Sequence, residues 1–112
     1  MEFIISEEKG AVICKLWNCG YAALNRIYKY VDIIVENEEK YLINDVYVGV
    51  ATCSPGGDFD LEYGKRLSLE RAKYNKQRAI NNIIKQFVSD SKTNLEELEA
   101  AEIKPLKHKY LG

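Results

Sequence analysis

Apolar and polar positions alternate with a period of two through much of the first half of the chain. In the second half they recur at three and four residues. Glu2 to Ser6 reads as a short apolar strand, and Glu7 to Gly10 as a polar turn ending in glycine. Ala11 to Trp17 follows, with Val12, Cys14 and Leu16 on one side and Ile13, Lys15 and Trp17 on the other. Two such runs across a glycine-containing turn predict a hairpin. After a break at Asn18 to Gly20, Leu24, Ile27, Tyr28 and Val31 return at helical spacing. Tyr21 to Val31 therefore reads as a short helix, although its tyrosines and β-branched residues leave a strand open. Asp32 to Glu36 reads as a strand, Asn37 to Lys40 as a polar turn, and Tyr41 to Cys53 as a long strand. Asn44-Asp45 marks a bulge or kink within that last run.

Ser54-Pro55-Gly56-Gly57 then stops the sheet, because proline removes a donor and glycine permits backbone angles that other residues resist. Asp58 or Asp60 is placed to accept the first free helical N–H groups. From Leu61 to Phe87, the residues Leu61, Ser68, Leu69, Ala72, Ala79, Ile80, Ile83 and Phe87 gather on one side. Gly64 sits at the edge of that stripe, where a missing side chain lets a helix approach a sheet. Lys65 and Lys76 fall near its centre, so either their stems snorkel past the sheet or the helix breaks near Lys73 to Lys76. Ser89 to Lys92 reads as a polar linker. Thr93 and Glu96 have capping-box spacing before a second helix with an apolar edge at Leu95, Leu98 and Ala101, which Pro105 ends. The predicted fold is a single α+β domain over residues 1–112. Residues 1–53 form a small, mainly antiparallel sheet of about four strands. Residues 58–88 form one long helix packed on that sheet, 93–103 a short C-terminal helix, and 104–112 a tail.

The composition fits this picture: 112 residues, 46% apolar and 29% charged, with a net charge of −1. Such a balance gives no overall pull toward nucleic acid or an anionic membrane. No apolar run approaches the roughly 18 residues of a membrane span, and no leader pattern opens the chain, so a cytoplasmic location is expected. The charge is uneven, however. Residues 1–60 carry five basic and ten acidic side chains, whereas residues 61–87 carry seven basic and two acidic. Two faces of opposite sign suit either mutual attraction or two different partners.

Spacing argues against the common chemistries. Six residues separate Gly57 from Gly64-Lys65 where a phosphate-binding loop has four, and Arg66 follows instead of Ser or Thr. Asp58, Asp60 and Glu62 alternate like calcium ligands, but Gly64 stands seventh instead of sixth and Leu69 takes the twelfth place that needs glutamate. Cys14, Cys19 and Cys53 lack zinc-knuckle spacing and read as reduced, partly buried thiols. The sole histidine, His108, lies in the tail, so a cysteine or serine nucleophile has no other imidazole to serve it. No cofactor, metal or catalytic activity is expected. The basic helix has more to offer, because Lys65, Arg66, Arg71, Lys73 and Arg78 are interleaved with Tyr63 and Tyr74. At 100° per residue, Arg66 and Lys73 lie on one side and Arg71 and Arg78 on another, so no single phosphate-tracking stripe results.

One stretch also carries a resemblance. Gly49, Ala51, Cys53, Pro55, the acidic run Asp58-Phe59-Asp60, then Gly64 and Arg71-Ala72 resemble a segment of small bacteriophage and prophage proteins of low-GC Gram-positive hosts. In those proteins a strand closes on a cysteine–proline turn, and an acidic segment leads into a basic helix. The likeness covers residues 48–72 and brings no catalytic residues with it. It implies a non-enzymatic protein that binds a host protein, with host-defence inhibitors of the anti-CRISPR type among the functions in view. The binding residues this reading favours are Glu36, Glu38, Glu39, Tyr41 and Tyr47, an acidic, aromatic set able to imitate nucleic acid. The alternative is a nucleic-acid-binding module using Lys65, Arg66, Arg71, Lys73 and Arg78. The apolar edge at Leu95 and Leu98 also suits a homodimer.

Overall fold

Three strands, Glu2–Ser6 (β1), Ala11–Leu16 (β2) and Tyr47–Thr52 (β3), pair antiparallel in the order β1-β2-β3. This is a computed structural model, and it describes residues 1–32, 34–53 and 59–102. The predicted bend at 54–57, Asp58, and the tail 104–112 with His108 lie outside the described residues. The β1-β2 hairpin forms as its alternation predicts, and Gly10 closes its turn with φ +60. Tyr21 to Val31 resolves in favour of helix. α1 spans Ala22–Tyr30 and buries Ala23, Leu24 and Ile27.

The sheet has fewer strands than the sequence predicts. In the predicted strand at Asp32 to Glu36, the described residues Asp32 and Ile34 to Glu36 do not join the sheet. Val35 turns inward instead, and its N–H donates to the Tyr28 hydroxyl at 3.2 Å. Of the long run from Tyr41 to Cys53, only Tyr47–Thr52 is strand. Glu38–Tyr41 forms a 3-10 turn after Asn37, which adopts a left-handed conformation at φ 57. The acidic stretch is therefore not a hairpin tip. The reason is burial, since Val35 and Tyr41 complete a second core with Leu24 and Ile27 that the sheet alone could not supply. Asn44-Asp45 is where the run leaves the sheet. Asp45 accepts from Cys19 N–H at 2.9 Å, and Ile43 donates to the Gly20 carbonyl at 2.9 Å.

A single helix, α2, runs over Leu61–Glu102 for 42 residues, about 63 Å. Asp60 caps it, accepting from Tyr63 N–H at 3.0 Å. The predicted linker at Ser89 to Lys92 and the cap at Thr93 are both helical, and the Thr93 hydroxyl donates to the Ser89 carbonyl four residues back. No glycine or proline occurs between Gly64 and Pro105, so nothing in the backbone compels a break. Lys65 and Lys76 are accommodated half-buried within the unbroken helix, and the Lys65 ammonium lies 5.8 Å from the Phe3 ring centre. The buried residues Gly64, Ser68, Ala72 and Ile80 fall on one row of four-residue steps. Such a row turns slowly around the helix, so α2 packs its first half on the sheet and its second half on α1 and the 3-10 turn. Among the described residues, no helix is long and apolar enough to cross a membrane.

Candidate functional site

The two faces of β2 and β3 have opposite fates, whereas β1 leaves Ile4 on one face and Ile5 on the other equally exposed at 41%. Val12, Cys14, Gly49 and Ala51 face α2 and are buried. The other parity places Ile4 opposite Ile13, and Ile13 opposite Val50, in one row across all three strands. Val48 and Lys15 form the next cross-strand pair on this face, and Trp17 lies just past the end of β2 with its ring beside Lys15. Among the described residues no helix covers this face, and Ile4 (41% exposed), Val50 (42%) and Trp17 (47%) remain open to solvent. The Lys15 ammonium lies 5.9 Å from the Trp17 ring centre and gives the patch a charged rim. The two edges of the sheet also differ. The outer carbonyls of β3 are occupied, because Arg71 Nη1 donates to Val50 O at 2.6 Å and Asn75 Nδ2 to Val48 O at 2.9 Å. β1 is the opposite edge strand.

The sequence-predicted acidic set is divided. Glu36 and Glu39 are exposed. Glu38 instead accepts the Tyr28 hydroxyl at 2.8 Å, a bond that, ahead of burial, holds that phenol above its ordinary pKa. Tyr41 is buried edge-on against Phe87, with ring centres 5.4 Å apart, and donates to Asp90 Oδ2 at 2.7 Å. Lys40 pairs with the same oxygen at 2.9 Å. Burial first, and then the Asp90 bond, push Tyr41 up to about 12. Asp90 is held below the usual carboxylate value by the Tyr41 hydroxyl and then by Lys40. A groove of about 620 Å³ opens here between residues 34–41 and the α2 segment 87–94. Tyr47 belongs elsewhere, opposite Leu16 at the start of β3, where its hydroxyl accepts from Asn44 N–H at 3.1 Å.

The basic set is spread along α2. Lys65 leans on Phe3, Arg66 stacks 5.6 Å from the Tyr63 ring centre, and Arg71 is engaged with β3. Lys73 and Arg78 are exposed.

The buried titratable groups are held away from reactivity. Burial raises the Cys14 thiol, whereas a nucleophilic cysteine needs its pKa lowered. Tyr41 is held as the neutral phenol. Among the described residues, no three His, Cys, Asp or Glu side chains gather as a metal cage. Compared with models of protein families, with curated proteins and with solved structures, the chain matches none.

Reading the sequence for charge missed Ile4, Ile13 and Val50. The signal was present, because Phe3-Ile4-Ile5 and Val46 to Ala51 are nearly continuous apolar runs. Runs of that kind belong to strands that want cover on both faces.

Proposed function

We propose that this is a non-enzymatic interaction protein of phage or mobile-element origin that acts by occupying a surface of a host protein. The outer face of the sheet forms the contact. The cross-strand row Ile4–Ile13–Val50, exposed at Ile4 and Val50 and half-buried at Ile13, carries this reading, because apolar surface open to solvent in a contiguous row on a small protein marks an interaction site. Trp17 adds a large aromatic anchor of the kind that dominates binding energy. The exposed carboxylates of Glu36 and Glu39 favour a basic partner through steering. The likeness of residues 48–72 to small phage proteins supports a host protein, and a host-defence component in particular, as the target.

The test is retention of host proteins on the tagged protein, with and without nuclease, read by mass spectrometry. One host protein should survive nuclease and be lost on Ile4→Lys or Val50→Lys, with circular dichroism unchanged. Recovery abolished by nuclease, and by Lys73→Glu or Arg78→Glu, would assign the contact to nucleic acid on α2. Retention indifferent to both sheet substitutions would move it to Glu36 and Glu39.

A further inference from the structure

Among the described residues, nothing outside α2 buries its distal part. Every residue from Lys92 to Glu102 is exposed, and the molecule reaches 85 Å along its longest axis. A helical segment of this length is marginal in water unless an amphipathic face packs against something. Such a face exists. Ile84, Val88, Ser91, Leu95 and Leu98 follow one another at steps of four and three, the spacing of a two-helix seam. Val88, Leu95 and Leu98 are 59%, 65% and 57% exposed.

At the root of this arm lies an apolar hollow of about 390 Å³, between α1 and α2. Tyr30, Val31, Ile84, Phe87 and Val88 line it, and Arg26 and Lys29 are the charged groups at its wall. The arm has the complementary character. Leu95 and Leu98 are accompanied by Glu96, Glu97, Glu99 and Glu102, with Lys92 as the only base from 92 to 102. Charge also fixes the direction of pairing. Arg78, Lys85, Lys92 and Glu99 follow at steps of seven on one flank of the seam. A parallel pair would stack the glutamates of the two arms on each other. An antiparallel pair brings Glu99 and Glu102 toward the partner's basic stretch.

The geometry points to a second copy of this chain as the occupant. Two molecules pair antiparallel through α2 about a two-fold axis near Ser91. Each seats its Leu95–Leu98 arm in the other's hollow, against Arg26 and Lys29. The contact is self-complementary, as a closed dimer requires. It lies on α1 and the distal half of α2, separate from the sheet face assigned to the host partner, so either assignment can fail without the other.

Sedimentation equilibrium on the full chain tests this. The wild type should form a concentration-dependent dimer, and Leu95→Glu with Leu98→Glu should raise its dissociation constant at least ~100-fold. The far-ultraviolet signal of the sheet and the late titration of Tyr41 should persist in that variant. Arg26→Glu with Lys29→Glu should weaken the dimer, and adding Glu96→Lys with Glu99→Lys should restore it. A wild type that stays monomeric at every accessible concentration would overturn the assignment. So would a dimer indifferent to the leucine substitutions, or a charge reversal that the compensating pair fails to rescue.

Discussion

Gly49 of β3 lies so close to α2 that a β-carbon there would overlap the carbonyl oxygen of Ser68. The same β-carbon would meet the backbone N of Ala72 and would stand 2.9 Å from the carbonyl carbon of Arg71. Each of these atoms is helix backbone and cannot rotate away. Gly49→Ala should therefore cost at least ~3 kcal/mol, the upper end of overpacking penalties. Gly64→Ala meets a side chain instead, Val12 Cγ2 at 2.8 Å, and gains helix propensity. It should be milder than Gly49→Ala by about 2 kcal/mol. Urea unfolding of the two variants gives the comparison directly.

The bond from Tyr41 to Asp90 should be visible at both ends of the pH scale. Tyr41 is raised in the folded state to about 12. Its contribution is complete below the ordinary tyrosine value of about 10 and is lost as pH rises from there through about 12. Asp90 is depressed, so its contribution is present at neutral pH and is lost as pH falls below about 4, through its lowered value. Phenolate absorbance should show a late component near pH 12 that Tyr41→Phe removes, while Tyr28 stays raised in that variant. That variant should lose about 1 kcal/mol at neutral pH and flatten both limbs of the stability profile.

Asp60 offers a separate test of how α2 begins. Asp60→Ala leaves the Tyr63 N–H without its 3.0 Å acceptor and should cost about 1 kcal/mol. Asp60→Asn keeps the oxygen and should lie near the wild type by thermal unfolding. An equal loss in both variants would shift the role from hydrogen bonding to charge against the helix dipole.

The fold was legible where a local pattern and its burial agree. The hairpin was, because Val12 and Cys14 alternate with Ile13 and Lys15 and only one parity is fully buried. The spacing of Leu24 and Ile27 favours the helix at Ala22–Tyr30, and their burial against Val35 and Tyr41 settles it against a strand. Gly64 was marked as a place of close approach, and it meets Val12. The acidic set was only partly readable. Glu38 and Tyr41 look like surface groups in sequence, yet their side chains bond to Tyr28 and Asp90, the latter 49 residues away.

The sequence by itself left Tyr21 to Val31 open between helix and strand, and it determined the α+β class, the β1-β2 pairing and the capped start of the long helix. These depend on residue spacing, turn chemistry and caps, which act over a few positions. The tertiary structure alone decided that Val35 and Tyr41 serve a second core and not a fourth strand. It also decided that α2 runs unbroken past Ser89, and that Ile4, Ile13 and Val50 line up on an open face. Those outcomes depend on which distant surfaces meet. An extended segment satisfies its backbone equally well in a sheet or in a turn, so burial against a partner far along the chain settles the choice.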